Sequence, residues 1–470
     1  MILALLRSEW RALLRDGRGA TLLALGVLLA VVSTWTAAST DQRERLGQAK
    51  ATEKARAAWL EREADNPHAR AHFGDYVFRP SGPLAGLDSG LQSVTGRSIR
   101  LEAHGQNAAV HIPHTGASSL LRFDRLEPST VLNLLIPLLL ILAGFGSVAS
   151  ERESGRLQLL RVQGARPAAL LFAKSLVLWS VGAVLACLLV GTHILFAGES
   201  VALAPLASFL LLHFVALWIV AVLVASVSSW CRRPGTAASV LLSLWVLGGI
   251  VLPRFAAMTA NATMPLPSRD AFEAAMREDR EKGLDGHNPS DERRQKIEQE
   301  VMQEYGVATK QELPINLDGI LMQADEDYGN KVWDVHFGKL EEHQLRQSNL
   351  VGLFSLVNPL QATERVSMAL AGTDLQSHFS LLQQVESHRR SLVRSLNDEH
   401  AHGGSKTGDW AWKPEADFYA SFETFRFEPP LLRDVFSARA LEWAALLAWA
   451  LGLTVFLVMS ARRLEKGASL

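Results

Sequence analysis

Six strongly apolar stretches alternate with polar segments along the chain. Each stretch is long enough to cross a bilayer as a helix, which takes about 17 to 25 mostly apolar residues. They are predicted at residues 20–38, 131–149, 170–194, 203–225, 236–252 and 440–459. The pattern therefore predicts an all-α polytopic membrane protein with six transmembrane helices.

Two of the polar segments between these stretches are large. Residues 39–130 begin with a charged helical pattern that extends the first span, and partial alternation over Ser98–Ile112 predicts a short β element. Residues 253–436 contain helical patterns and an aromatic stretch, Trp410–Phe427, which fits either a membrane interface or the core of a soluble domain. We therefore expect two largely helical insertions outside the membrane.

Positive charge is concentrated in the short polar segments on one side. Lys and Arg are frequent in residues 1–19, 150–169, 226–235 and 460–470. The short segment 197–202 contains neither residue. Since short cytoplasmic loops are enriched in Lys and Arg, the four basic segments and both chain termini are predicted to be cytoplasmic, and the two insertions extracytoplasmic. The first basic segment has the pattern of an amphipathic helix lying in the membrane interface.

The composition agrees with spans that alternate with soluble parts. Apolar residues make up 48% of the chain and charged residues 20%, which is too charged for a protein buried entirely in lipid. The formal net charge of −1 lacks the basic excess of a nucleic-acid-binding protein, so no nucleic-acid partner is predicted. The two cysteines, Cys187 and Cys231, cannot provide a disulfide framework or a CxxC metal motif.

Several histidines have suggestive spacings but lack a partner that would complete a site. His68 and His72 have the i, i+4 spacing of a zinc-binding helix without the glutamate that such a motif carries. No carboxylate or cysteine stands at a telling distance from the other clustered histidines, which are His104, His111 and His114, and His400 and His402. We therefore predict surface histidines and no metal site.

The chain also lacks a convincing nucleotide-binding or catalytic motif. Gly403–Thr407 resembles the end of a phosphate-binding loop, but Ser405 separates the glycine from Lys406. No nucleophile–base pair occurs in the predicted cytoplasmic segments. The sequence thus predicts a non-catalytic subunit without a bound cofactor, and any energy from ATP must come from another chain.

Two ionisable residues within apolar stretches are functional candidates, because charge inside a membrane is costly. His213 lies in the middle of the fourth span and is predicted to face either the interior of the bundle or a transport pathway. Glu442 lies near the outer end of the sixth span, where its side chain could reach the interface by snorkelling.

The most informative segment is the cytoplasmic loop after the second span, residues 150–167. It is too charged to enter the bilayer. Its apolar residues predict one apolar side on a short helix that lies along the membrane surface; they are Leu157, Leu159, Leu160 and Val162. An ordinary interhelical loop is an equally good interpretation of these residues alone.

The same segment resembles the cytoplasmic loop of type-2 ABC exporter permeases, with an acidic pair, a glycine, a Leu-rich run and an Arg-Pro turn. In that family the loop docks onto a separate ATPase and transmits its motion. The resemblance implies that docking uses eight residues, Glu151, Arg152, Glu153, Gly155, Arg156, Leu157, Leu160 and Arg166.

Other segments extend the resemblance over most of the chain. Leu3–Arg18 resembles the amphipathic helix that precedes the first span in these permeases. Pro265–Arg269, Leu356–Leu360 and Met368–Asp374 resemble a subfamily with a large periplasmic domain of unknown function before the last span. The resemblance implies a bacterial plasma (inner) membrane protein. Its expected partners are the lipid bilayer, an ABC ATPase that carries ATP and Mg²⁺, a second permease chain in a homo- or heterodimer, and optionally a periplasmic protein.

The expected function is a permease subunit that couples ATP hydrolysis by a separate ATPase to export of an unidentified substrate. One alternative is mechanotransmission, in which the same stroke acts on a periplasmic partner and nothing crosses the membrane. A membrane-anchored sensor or scaffold without an ATPase also accounts for six spans and two insertions. A membrane-embedded enzyme is the weakest alternative, because the His and Asp constellations are incomplete.

Overall fold

The computed structural model describes residues 2–63, 65–107, 126–197 and 202–466. The protein is 77% helical with almost no strands. Within these residues, six helical segments are long and apolar enough to cross a membrane, and we number them as the first to sixth spans in chain order: Gly17–Glu61, Pro128–Glu153, Pro167–Ala197, Leu203–Trp230, Pro234–Thr263 and Ala440–Lys466. The predicted all-α polytopic membrane protein with six transmembrane helices is confirmed.

The extramembrane parts are mostly helical. Helices lie at Ile2–Arg15, Pro67–Phe73, Arg156–Val162, Arg269–Lys282, Ser290–Tyr305, Leu317–Leu353, Pro359–Ala371, Leu375–His402, Ala416–Ala420 and Leu432–Ala438. Strands β1 (Asp75–Phe78) and β2 (Ser98–Leu101) form an antiparallel pair. The β element predicted over Ser98–Ile112 is therefore present in its first part, while residues 108–112 lie outside the described residues.

Two spans run well past the ends that their apolar stretches predict. The first span continues to Glu61, because residues 39–61 are rich in the strong helix formers Ala, Arg, Glu, Gln and Lys. The fifth span continues beyond Pro253 to Thr263. Its proline follows a π-turn at Leu247–Val251, and the wider i→i+5 spacing of that turn accommodates a residue without an N–H donor.

The third and fourth spans lie at the centre of the bundle. They pack against each other, the first span packs against the third, and the sixth span packs against both. In the most apolar part of the third and of the fourth span, 56% of the residues are buried, compared with 11% in the fifth span. Gly144 allows the second span to approach this centre, since a Cβ there would lie 2.5 Å from Leu178 Cδ1 and 2.7 Å from Val224 Cγ1. The fifth span therefore forms an edge of the bundle.

One short helix of the second insertion belongs to the bundle core. Pro359–Ala371 packs between the fourth and sixth spans, and its Ala362, Val366 and Leu370 share their hydrophobic cluster. Asn358, just before it, donates from Nδ2 to the carbonyl of Gly248 at 2.8 Å, within the π-turn of the fifth span. The second insertion is thus anchored to the spans from two directions.

Glu442 is part of a buried ionic network where the sixth span meets the helix Pro359–Ala371. It is 3% exposed, and its Oε1 lies 2.6 Å from Arg365 Nε and 3.8 Å from Arg439 Nη1. Arg439 Nη2 also lies 2.5 Å from Asp374 Oδ2. The expected snorkelling of Glu442 is wrong, because its carboxylate is buried and pairs with Arg365 on the helix Pro359–Ala371. This partner could not be predicted, since the two residues are 77 positions apart in the sequence.

The two insertions share one hydrophobic core outside the bundle. The strand pair and the end of the first span pack on the helix Leu375–His402, with buried residues that include Trp59, Val77, Ile99, Leu101, Leu381, Val385, Leu392 and Leu396. Trp59 Nε1 donates to the carbonyl of Tyr419 at 2.9 Å. Tyr419 is itself buried, and neighbouring phenylalanines of the aromatic stretch pack against the same cluster. That stretch therefore contributes to the core of the domain, which we call the outer domain.

Asp88 lies buried where the first insertion meets the helix Pro359–Ala371. Ser367 donates from its Oγ to Asp88 Oδ2 at 2.5 Å. Burial raises the pKa of Asp88 to about 7, and the nearby carboxylates of Glu127 and Glu364 contribute in the same direction, against the Ser367 hydrogen bond. The protonated form of this carboxyl is favoured by the fold.

Arg365→Ala should destabilise the protein strongly, because it leaves Glu442 buried without its closest cation. Removing one partner of a buried ion pair costs about 3–5 kcal/mol. We expect a loss of this size in the free energy of unfolding, measured by steric trapping in detergent or bicelles. The charge-conserving control Arg365→Lys and the paired change Arg365→Met with Glu442→Leu should lose less. A loss below about 1 kcal/mol in Arg365→Ala would show that the pair is not structurally important.

The raised pKa of Asp88 predicts that stability falls as pH rises. The folded-state pKa of about 7 lies above the usual aspartate pKa of 3.8, so the stabilisation is complete at low pH and is lost as pH increases through about 7. Between about pH 6 and about pH 8 this group should remove about 1 kcal/mol from the free energy of unfolding. Asp88→Asn should reduce that decrease, whereas the exposed control Asp398→Asn should keep it. Parallel pH dependences in the wild type and Asp88→Asn would contradict the assignment.

Candidate functional site

The end of the second span and the loop after it contain two short helices and are called the 149–166 segment here. Ala149–Glu153 ends the second span, and Arg156–Val162 follows. Gly155 between them has φ = +75°, a left-handed conformation that favours glycine, and Gly164 has φ = +90°. The predicted short helix is therefore present, and glycines turn the chain before and after it.

The apolar residues of the second short helix face two directions. Leu157 is buried, and Leu160 packs against the bundle core. Leu159 and Val162 are 58% and 85% exposed. The single apolar side expected from the sequence is wrong, because residues two positions apart on a helix with 3.6 residues per turn point to nearly opposite sides. The helix thus holds the bundle with one side and presents apolar side chains on the other.

At the end of the bundle that carries the 149–166 segment, a buried lysine joins three elements. Lys174 of the third span is 3% exposed, and its Nζ donates to Glu151 Oε1 at 3.1 Å and to Glu9 Oε1 at 2.9 Å. Glu151 belongs to the 149–166 segment, and Glu9 belongs to the N-terminal helix Ile2–Arg15. Lys174 therefore ties the segment to both the third span and the N-terminal helix.

A second set of contacts attaches the segment to the fourth span. Arg152 donates to the carbonyls of Ser229 at 2.7 Å and Cys231 at 2.5 Å, which are left free at the end of that helix. Ser228 Oγ accepts from the backbone N–H groups of Val148 and Ala149 at 3.0 and 3.1 Å. The segment is thus held at the ends of two central spans.

The C-terminal end of the sixth span meets the same region. Trp230 Nε1 donates to Ser460 Oγ at 2.8 Å, and the Arg463 guanidinium lies 3.9 Å from the centre of a Trp230 ring. Arg161 of the segment donates to the carbonyl of Glu465 at 3.3 Å. All four basic segments that the sequence predicts on one side therefore lie at one end of the bundle.

The eight predicted docking residues divide into two groups. Four of them face the bundle or contact it, namely Glu151, Arg152, Leu157 and Leu160. Four are exposed, namely Glu153, Gly155, Arg156 and Arg166. A Cβ at Gly155 would meet nothing within 4 Å, so substitution there is opposed by the backbone conformation rather than by crowding within this chain. The exposed residues, with Leu159 and Val162, form a surface of mixed charge and apolar character.

Sequence reasoning missed Lys174, Glu9 and Ser228. Lys174 did give a signal, since it is a lone charge near the start of a predicted span, where an ionisable residue is unusual. Glu9 and Ser228 gave none, because their partners are distant in sequence.

His213 lies inside the bundle of this chain. It is 1% exposed, its Nδ1 donates to the carbonyl of Phe209 at 2.7 Å, and its Nε2 lies 3.2 Å from Asn133 Oδ1. Of the two predicted positions, this matches the bundle interior. A role for His213 in a transport pathway stays a prediction.

The stretch that resembles a phosphate-binding loop has a structural role. Thr407 Oγ1 accepts from the backbone N–H of Leu317 at 3.0 Å, at the start of the helix Leu317–Leu353. Ser405 is buried, and it donates to the carbonyl of His400. The polar side chains of this stretch are therefore used within the outer domain.

Two family models match the chain. Residues 89–272 match the ABC-2 family transporter protein model, which covers the second to fifth spans and the 149–166 segment. Residues 269–428 match a domain of unknown function, DUF3526, which covers most of the second insertion. No curated protein matches the chain. The boundary between the two matches follows the end of the fifth span at Thr263.

Lys174→Met should loosen the 149–166 segment, because Glu151 and Glu9 lose the cation that they share. We expect trypsin to cleave the segment of the purified chain about tenfold faster at Arg156 and Arg161, as measured by mass spectrometry of early fragments. Lys174→Arg keeps the charge and should be cleaved at a rate near that of the wild type. Equal rates in all three proteins would contradict a role for Lys174 in holding the segment.

Proposed function

We propose that this chain, a membrane permease component of an ABC transporter with an additional DUF3526 domain, couples ATP hydrolysis by a separate ATPase to export of a substrate. The observation that carries the proposal is the 149–166 segment, which is held by the bundle on one side and exposed on the other. An ATPase that binds the exposed side would move a segment fixed to the third span, the fourth span and the N-terminal helix.

The chain itself supplies no nucleotide chemistry in this proposal. ATP and Mg²⁺ bind to the partner ATPase, and the permease is a non-catalytic subunit without its own cofactor. The protein lies in a bacterial inner membrane with the 149–166 segment and both termini in the cytoplasm. This orientation is supported by the meeting of four Arg- and Lys-rich segments at one end of the bundle.

A second permease chain, identical or different, completes the transporter. The fifth span supports this part of the proposal, because it lies at the edge of the bundle with a largely exposed apolar surface. Its exposed residues include Val240, Leu244, Leu247, Val251 and Phe255. Such a surface suits contact with either lipid or a second chain.

Mechanotransmission is the second candidate, and the first span favours it. A helix of 45 residues is about 70 Å long, more than twice the thickness of the hydrocarbon core of a bilayer. It begins beside the N-terminal helix and carries Trp59 into the core of the outer domain without a break. A stroke at the inner end would therefore move the outer domain directly and could act on a periplasmic protein.

Two substitutions on the exposed side of the segment test the docking proposal. Val162→Asp places a carboxylate in an apolar part of the contact, and Glu153→Arg reverses a charge. We expect each to retain about tenfold less ATPase when the tagged chain is purified from its native membrane and analysed by quantitative mass spectrometry. The matched controls Val162→Thr and Glu153→Asp should retain nearly as much as the wild type.

The outcomes separate a permease that binds an ATPase from a sensor or scaffold that does not. Equal ATPase recovery with all four variants would show that the exposed side of the segment is not the docking surface. Recovery of the wild-type chain without any ATPase, under conditions that preserve other ABC complexes, would favour the sensor or scaffold.

A further inference from the structure

Three histidines from two parts of the first insertion meet on the surface of the outer domain. His68 and His72 lie one turn apart on the helix Pro67–Phe73, with their Nε2 atoms 3.0 Å apart. His104 lies in the turn that follows β2, and its ring centre is 5.6 Å from that of His68 and 5.1 Å from that of His72. One ligand atom from each ring lies within 4.8 Å of the others.

The helix that carries two of these histidines is firmly fixed. Asn66 caps it by accepting from the N–H of Ala69 at 2.7 Å, and Pro67 occupies its first turn. Arg70, between the two histidines, is 1% exposed, bonds to Asp65 at 2.9 Å and lies over the ring of Tyr419. The two imidazoles therefore project from a rigid element.

His104 has a backbone conformation that residues other than glycine rarely adopt. It has φ = +60°, the only positive value at a non-glycine residue in the part of the chain that the structure describes. Such conformations cost about 1–3 kcal/mol and persist where the surroundings fix them, as at ligand sites. Here the carboxylate of Glu326 accepts from the backbone N–H of His104 and also lies 3.0 Å from its Nδ1.

The Glu326 carboxylate lies beside the His104 ring, the position from which a carboxylate orients a metal-binding histidine. Its side chain is 1% exposed and is paired with Arg389 Nη1 at 3.2 Å, so its charge and position are fixed. When one nitrogen of an imidazole donates to a carboxylate, the other is directed outward as a ligand. For His104, a hydrogen bond from Nδ1 to Glu326 would leave Nε2 as the ligand atom.

We propose that His68, His72 and His104 bind one divalent transition-metal ion of the zinc class, with a fourth coordination position open to a neighbouring cleft. Three imidazoles and one open position form a common zinc site. In a tetrahedral site with Zn–N bonds of about 2.0–2.1 Å, ligand nitrogens are separated by about 3.4 Å. The observed 3.0 Å between the Nε2 atoms of His68 and His72 therefore needs only a small adjustment.

The surroundings suit entry of an ion and a fourth ligand. A cleft of about 1040 Å³ is lined by His68, His104, Asp325, Tyr328 and Trp410. A water molecule or a donor atom of a bound molecule can occupy the open position from the cleft.

This proposal replaces the sequence-based expectation of surface histidines without a metal site. The i, i+4 pair was visible, but the strand pair brings His104 to it, and Glu326 comes from a helix 222 residues further along the chain. His400, predicted as a surface histidine, is also buried, and its ring centre lies 5.5 Å from that of Trp410 beside the cleft. His111 and His114 lie outside the described residues.

The test is zinc binding by the full chain, purified in detergent without a polyhistidine tag and stripped with a chelator. We expect one Zn²⁺ per chain by equilibrium dialysis with elemental analysis, and an X-ray absorption spectrum with about three imidazole nitrogens near 2.0 Å. His72→Ala and His104→Ala should each weaken binding at least about 100-fold, and Glu326→Gln about 10- to 100-fold. His287→Ala removes an exposed histidine of the same domain and should bind like the wild type.

His72→Ala is the decisive variant, because His72 is exposed and its loss should leave the metal-free fold intact. Unchanged elution and thermal unfolding of this variant in chelator will establish that. Stoichiometric binding of Cu²⁺ or Ni²⁺ that requires the same three histidines would also support the site. Absence of binding by the wild type at micromolar metal, equal binding by His72→Ala, or a spectrum dominated by oxygen ligands would overturn it.

Discussion

Charged side chains buried at both ends of the bundle determine how the soluble parts are attached to the spans. A buried charge is tolerated only when it is paired, so each network joins the elements that supply its members. Lys174 joins the third span to the N-terminal helix and the 149–166 segment at one end. At the other end, Glu442 of the sixth span pairs with Arg365 of the helix Pro359–Ala371, and Arg439 pairs with Asp374, which caps the outer-domain helix Leu375–His402. Between these two ends the spans pack mainly through apolar side chains, without buried charge pairs of this kind among the described residues.

The connections between the two ends are made of continuous helix. The 149–166 segment contacts the third and fourth spans, and both of these pack against the sixth span. The sixth span in turn contributes Glu442 to the buried ionic network with Arg365. The first span reaches the outer domain without a break, where Trp59 is buried. Since packed helices shift as units rather than deform continuously, a displacement at one end reaches the other through few intermediates.

The spans could be predicted from sequence because a bilayer requires long apolar helices, and that requirement leaves a direct pattern. Their ends were harder to predict, since Pro253 usually ends a helix and is here accommodated by a π-turn. The helix Pro359–Ala371 is short and amphipathic, so nothing local indicates that its apolar side packs against spans. The candidate site could be predicted in part, because the charged loop after the second span indicated the 149–166 segment. The contacts that hold this segment, made by Lys174 and Ser228, could not be predicted, since they join residues distant in sequence.

The shared core of the two insertions limits how the outer domain can be understood. The DUF3526 match begins at residue 269, yet the helix Leu375–His402 buries its apolar side against Trp59, Ile99 and Leu101, which lie outside that match. A chain without residues 268–408 would expose these side chains to water at about 25 cal/mol per Å² of apolar surface. Loss of a function after such a deletion would therefore reflect an incomplete core as much as a missing binding surface. The outer domain is a product of both insertions, and its contacts with a partner are best separated from its stability by single substitutions at exposed positions of the cleft.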